Sequence, residues 1–249
     1  MVWRNAIPQW LEEDVRSLLT PAQGDALQGA LWLAQQCSMK QSTLLTRFRY
    51  FEGDTLREDC ALLLTDGLIE RILPTSYAPP AGVDIIDCQG HLLAPGFIDI
   101  QVNGGGGVMF NDEPNLAGID AIRRAHWSGG TTGLLPTLIT DSAATMRQAV
   151  EAVATALQQG MPGILGIHLE GPHLNPARRG VHSTRHIRPL DADTLALLDL
   201  LPADKLLLTL APELLPAESL RQLSARGIRV SAGHTAANYA QPAPHWTKA

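Results

Sequence analysis

The stretch GILGIHLEGPH, residues 163–173, carries the strongest fold signal in the chain. Gly163 to Ile167 is a short apolar run of the kind that a parallel sheet buries on both faces, and Gly171-Pro172 ends it abruptly. An acidic residue, Glu170, therefore stands at a strand's exit, between His168 and His173. Comparable runs lie at Phe97–Val102, Gly133–Ile139, Lys205–Ala211 and Ile228–Ala232, with this one counted as Ile164–Leu169. Helical patterns separate them at Leu116–Trp127, Ala143–Gln159, Asp191–Leu201 and Ala217–Ala225. Strand and helix in alternation predict an α/β fold with a parallel sheet.

Each strand ends in polar residues: QVNGGGG (101–107), TLIT (137–140), HLEGPH (168–173), LAPE (210–213) and SAGHT (231–235). Parallel barrels and sheets build their active sites at C-terminal strand ends. Two of these residues, Glu170 and His234, have zinc-ligand chemistry and come from separate strands, which hold geometry rigidly. Read one at a time, they are better explained as a structural carboxylate accepting backbone N–H groups and a satisfied core histidine, and it is their position at strand ends that favours function. Gly104 to Gly107 lacks the context of a phosphate-binding loop and reads as flexible backbone beside the site.

Of the 249 residues, 45% are hydrophobic and 18% charged, as in an ordinary globular protein. A net charge of −6 with scattered Lys and Arg shows no nucleic-acid footprint. Cys37, Cys60 and Cys88 form no CxxC pair, so reduced thiols are expected rather than disulfides or a cysteine zinc site. Neither a signal peptide nor a membrane-spanning apolar run is visible, and the expected location is cytoplasmic, with no membrane partner.

Four segments are expected. Residues 1–38 hold three of the five Trp and a helical pattern over Pro21–Cys37, with Ala26, Gly29, Ala30, Leu33 and Cys37 on one small-residue face. This segment weakly resembles the C-terminal tail of sugar kinases of the BadF/BadG type, as a fused extra piece would. Residues 39–93 read as a small β-domain, with TLLTRFRYF (43–51), the EGD turn, and CALLLTDGLIERILP (60–74) folded at Asp66-Gly67. Residues 94–241 carry the βα units, and 242–249 form an unrelated tail.

PGFIDIQVNGGGG (95–107), GIHLEGPHLNPARRGVH (166–182) and LAPELLPAESLRQLSARGIRVSAGHTAA (210–237) together resemble the N-acetylglucosamine-6-phosphate deacetylases of the amidohydrolase superfamily. The resemblance runs from about Leu44 to about Ala240. It implies a (β/α)8 barrel with a small β-sandwich domain, and a metal-dependent hydrolase that removes the acetyl group from a 6-phosphorylated amino sugar in its catabolism. It also implies Glu170 and His234 as metal ligands, Val181 and His182 as sugar contacts, and a homodimer for the full-length form. N-acetylgalactosamine 6-phosphate is the alternative substrate. On the residues alone, His182 reads as an exposed loop histidine.

Many amidohydrolases carry His-x-His after the first strand, whereas this chain has Gln101-Val102-Asn103. Amides are poor zinc ligands, so one Zn2+ is expected. Gln101 and Asn103 are equally suited to hydrogen-bonding with neighbouring loops. The family's second histidine ligand and catalytic aspartate come from strands after SAGH, where the resemblance fades into QPAPHWTKA, with His245 among prolines. A full barrel takes about 250 residues and eight strands. The expectation is thus a partial barrel of about five strands with exposed edges, either an enzyme by family or a catalytically inactive fragment.

Overall fold

The computed structural model describes residues 42–238 except Gly53, Asp66 and Gly67. The expected helical segment 1–38, the Asp66-Gly67 signal, His245 and the tail 242–249 lie outside the described residues. Two compact units emerge: residues up to 98 with 126–133, and 99–125 with 134 onward.

In the first unit, β1 (Ser42–Thr46), β4 (Cys60–Thr65), β5 (Leu68–Pro74) and β6 (Asp84–Asp87) form a sheet in the order β5-β4-β1-β6. Only the β1–β6 pair is parallel. Because side chains alternate faces along a strand, neighbours part company. Leu45 packs with Phe48, Cys60, Leu62 and Leu64, whereas Leu44 packs with Ala61, Leu63 and Leu73. Both faces of the sheet therefore carry a core. The single strand expected over 43–51 is broken at Arg47, whose φ of 52° leaves the extended region. The chain then runs into a separate ribbon of β2 (Tyr50–Glu52) against β3 (Thr55–Arg57).

The second sheet joins β7 (Phe97–Val102), β10 (Thr131–Ile139), β11 (Ile167–Glu170), β12 (Leu206–Leu210) and β13 (Arg229–Ala232) in the order β13-β12-β11-β10-β7. Strands in sequence order, parallel from β10 to β13, make a half-barrel. Between β7 and β10, β8 (Gly104–Gly105) pairs with β9 (Val108–Met109). The four glycines are thus an ordered hairpin rather than loose backbone. Gly106 and Gly107 both take positive φ, as a tight two-residue turn requires.

Strand alternation divides the half-barrel's residues by chemistry. Leu134, Leu138, Ile167, Leu169, Leu206, Leu208 and Leu210 join the apolar core with the helices. The intervening positions Thr137, His168, Glu170 and Thr209 carry polar side chains to the opposite face. Helices α1 (Leu116–Trp127), α2 (Ala143–Gln158), α3 (Ala192–Leu198) and α4 (Ala217–Ala225) supply the other half of the core. In α2, Met146, Ala149, Val150, Val153 and Ala156 repeat at helical spacing and are buried, and Ser142 caps the first turn by accepting from Thr145 N at 3.1 Å. α3 is capped by Asp191 and stops at Leu198, short of the expected Leu201.

β11 is shorter than the run that announced it. Ile164 makes only an isolated bridge to Leu134, and the ladder begins at Ile167. Gly166 marks the passage: a Cβ there would lie 2.2 Å from the Lys205 carbonyl oxygen, so only glycine allows the two backbones to approach. β7 is an edge strand among the described residues and leaves Phe97, Ile98 and Ile100 exposed.

Two consequences are measurable. Leu208→Ala, at a fully buried position, should cost about 2–5 kcal/mol in urea unfolding. His173 is also buried; its Nδ1 faces Arg188 O at 3.0 Å while its Nε2 has no hydrogen-bond partner among the described residues. Burial above all holds this ring below its ordinary 6.5. A histidine with a depressed folded pKa contributes stability that is full above about 6.5 and is lost as pH falls toward the folded value. His173→Phe should therefore flatten the decline of Tm between pH 7 and 5, as followed by circular dichroism.

Candidate metal centre

Glu170, the last residue of β11, is 9% exposed and gathers three side chains. Its Oε1 lies 3.0 Å from His234 Nε2, 3.9 Å from His182 Nε2 and 3.3 Å from the donating Gln101 Nε2. One ligand atom from each of Glu170, His182 and His234 falls within 4.8 Å of the others, so the three can hold a metal ion.

The second nitrogen of each ring shows what the first one offers. His234 Nδ1 faces the Arg178 carbonyl oxygen at 3.0 Å. A carbonyl only accepts, so Nδ1 carries a proton, and in the neutral ring Nε2 presents a lone pair to Glu170. Two acceptors facing at 3.0 Å repel unless a proton or a cation lies between them. His182 has the opposite arrangement. Thr140 N–H donates to its Nδ1 at 3.3 Å, which assigns the proton to Nε2, on the side of Glu170. The Thr140 hydroxyl lies 2.8 Å from the same nitrogen and 3.2 Å from Glu170 O, and in this tautomer its single proton goes to the nearer acceptor, Nδ1. Burial pushes the His182 pKa down, against the pull of Glu170, and any positive charge on His234 pushes it the same way, so the neutral ring is favoured.

His182 is 1% exposed, unlike the exposed loop histidine that the residues alone suggested. It reaches the cluster because the chain after β11 folds back over the strand end, with its ring edge-on to His234 at 4.4 Å between centroids. Val181, beside it in sequence, is 85% exposed and does not enter the cluster. Gln101 takes the role of hydrogen-bond donor to Glu170, while Asn103 offers its carbonyl to Phe110 N at 2.9 Å.

Beneath the cluster lies a polar layer that periodicity did not reveal. Thr137 Oγ1 accepts from Val102 N at 2.9 Å and meets His168 Nδ1 at 3.2 Å, and His168 Nε2 meets Thr209 Oγ1 at 2.8 Å. Burial lowers the His168 pKa, against the pull of Glu170. A third feature is backbone conformation. His234 has φ of 50°, and Gly233 before it packs so tightly that a Cβ would sit 2.4 Å from Thr209 Cγ2.

No family model matches the chain. It is 41% identical over 184 residues to the N-acetylgalactosamine-6-phosphate deacetylase of Shewanella sp. (strain ANA-3), a match covering 74% of this chain and 47% of that protein. Identity to the human N-acetylglucosamine-6-phosphate deacetylase is 42% over 163 residues, 61% of this chain and 39% of the relative. Among solved structures, the N-acetylglucosamine-6-phosphate deacetylase from Pasteurella multocida superimposes with a TM-score of 0.74 at 31% identity, covering 82% of this chain and 54% of that one. The chain spans about half the length of the curated relatives it matches. Neighbours in sequence and in structure agree on N-acetylhexosamine-6-phosphate deacetylases of the amidohydrolase superfamily.

The close fit at Gly233 yields a two-step test. Gly233→Ala should destabilise the protein by roughly 1–3 kcal/mol through overpacking. Adding Thr209→Ser, which removes the clashing Cγ2 and keeps the hydroxyl for His168, should restore most of the loss in denaturant titrations.

Proposed function

We propose, from the premise that residues 97–238 form a deacetylase-type half-barrel, that Glu170 and His234 hold one divalent metal and that the chain acts on N-acetylglucosamine 6-phosphate. The observation that carries this reading is His234 Nε2 facing the Glu170 carboxylate at 3.0 Å, with the ring's other nitrogen held by the Arg178 carbonyl. Donors about 2.0–2.2 Å from a tetrahedral zinc stand about 3.3 Å apart, so this spacing is close to that of a ligand pair. One carboxylate and imidazole nitrogen are zinc donors, and the amides at Gln101 and Asn103 do not build a second site. When bound, zinc supplies Lewis acidity toward an acetyl carbonyl and lowers the pKa of its water toward roughly 7.

The chain's own residues do the rest. Gln101 orients Glu170 by donating to Oε1, and the Arg178 carbonyl fixes the His234 tautomer. His182 Nε2–H is placed to donate to an oxygen that gains negative charge as the amide carbon becomes tetrahedral, in a buried setting where such a bond is strong. Val181, beside it, offers an exposed apolar surface to the sugar. Within the cluster, among the described residues, Glu170 is the sole carboxylate and cannot hold the metal and shuttle the proton to the leaving amine at once. That step falls to a carboxylate elsewhere in a complete deacetylase site.

N-acetylgalactosamine 6-phosphate is the second reading, supported by the name of the Shewanella relative. The two sugars differ at one hydroxyl. The substrate class and the lack of a basic stripe support a cytoplasmic enzyme without nucleic-acid or membrane partners, and among the described residues no helix is long and apolar enough to cross a membrane. A homodimer is proposed for the full-length form.

Zinc titration by calorimetry, with amine release measured on both sugar phosphates, tests the assignment. One equivalent of zinc should bind, and Glu170→Gln should weaken it by at least about a hundredfold, since losing even an outer partner of a ligand costs about 10–100-fold. His182→Asn should lower amine release and leave zinc affinity within about threefold; a loss as large as that of Glu170→Gln would make His182 a ligand. Two tight equivalents would overturn the single-metal assignment, and zinc uptake without turnover would identify an inactive half-site.

A further inference from the structure

We propose that Glu213 is a positioning residue for His234: its carboxylate ties the loop after β11 to the loop after β13 and so holds the imidazole on Glu170. This rests on the reading of His234 as a metal ligand. His234 sits in the left-handed backbone region, φ 50°, which a residue with a Cβ adopts only when its surroundings enforce it.

The enforcing contacts converge on one side chain. Asn175 N–H donates to His234 O at 3.0 Å, and His234 Nδ1–H donates to Arg178 O at 3.0 Å. Both partners come from one short segment: Arg178 ends the turn Pro176–Arg178, and Asn175 caps that turn by accepting from Ala177 N at 2.9 Å. The other end of the Asn175 side chain, Nδ2, donates to Glu213 Oε1 at 2.9 Å. Beyond His234, Ala236 N donates to the same oxygen at 2.7 Å and the Thr235 hydroxyl donates to Oε2. The residues that follow the strained His234, and the Asn175 that holds its carbonyl, are thus tied to one carboxylate, which rises from the turn Pro212–Leu214 after β12.

The chemistry suits an anion. Burial works to raise the Glu213 pKa, but hydrogen bonds from Thr235, Asn175 and Ala236 outweigh it and hold the group below its ordinary 4.5. The carboxylate stays charged at neutral pH, and its donors are all neutral N–H or O–H groups. Glu213 contributes no atom to the metal-binding cluster, so its influence on a metal runs through His234.

A staple that merely stabilised two loops would not control which His234 nitrogen carries the proton, and this separates the two roles. In the metal-free 15N-labelled full chain, long-range 1H–15N spectra should show wild-type His234 predominantly as the Nδ1–H tautomer, with His234→Gln giving the assignment. Glu213→Ala should shift the ring toward a mixture of tautomers, and Glu213→Gln, which keeps an acceptor for Ala236 N, should shift it less. Cobalt(II) titration followed by visible absorption should show Glu213→Ala binding about 10–100-fold more weakly, with the far-ultraviolet circular dichroism unchanged.

Thr235→Val, which removes one donor, should move both readouts in the same direction by a smaller amount and decides the matter if Glu213→Ala fails to fold. A wild-type tautomer and cobalt affinity within twofold of wild type in the folded variants would overturn the proposal. If the wild-type chain takes up no cobalt, the metal assignment falls, while the tautomer comparison still decides the role of Glu213.

Discussion

Two atoms that repel while the His234 ring is neutral, the Glu170 Oε1 and the Nε2 of His234, face one another at 3.0 Å, and the surrounding architecture serves to hold them there. One belongs to β11 and the other lies just after β13. The intervening strand β12 pairs in parallel with both, Glu170 standing opposite Thr209 and Leu210 opposite Ala232. That ladder sets the spacing between the two loops. The carbonyl of Arg178 then fixes the ring's proton on the far side, so the lone pair cannot turn away. A proton or a metal cation resolves the repulsion, and the cation does so by converting two facing acceptors into two ligands.

The same strand alternation that makes the apolar core makes the site. Leu206, Leu208 and Leu210 pack toward the helices, and Thr209 between them carries its hydroxyl to His168 on the opposite face. Thr137 continues the layer toward β7 through the Val102 N–H. Buried polar groups are costly unless paired, and here His168 has a hydroxyl at each ring nitrogen. The cluster at Glu170 consequently stands on a floor whose rotamers are locked, as a site that must hold ligands in place requires.

Much of the fold was legible in local pattern. α1 and α4 lie where the helical spacing put them, at Leu116–Trp127 and Ala217–Ala225, and β7 covers the expected Phe97–Val102. The departures have local causes that composition alone does not disclose. Arg47 takes a left-handed conformation and splits the strand expected over 43–51, and Gly166 is spent on a close approach to Lys205 rather than on the ladder. The glycines at 104–107 form a hairpin because two successive positive φ angles fit a two-residue turn better than open coil.

Sequence pattern was enough to establish the alternation of strands and helices, the polar character of the strand ends, and the presence there of Glu170 and His234. Those features depend on periods of two and about 3.6 residues and on where glycine and proline interrupt them, all of which are local. It took tertiary contacts to bury His182, to give it an N–H where His234 offers a lone pair, and to set Glu213 as a brace on the loop carrying His234. These depend on partners far apart in the chain: 42 residues separate Thr140 from His182, 56 separate Arg178 from His234, and 64 separate Glu170 from His234. A hydrogen bond of that span exists only after the strands have paired, because its geometry is set by sheet spacing and loop path rather than by the neighbours of either residue.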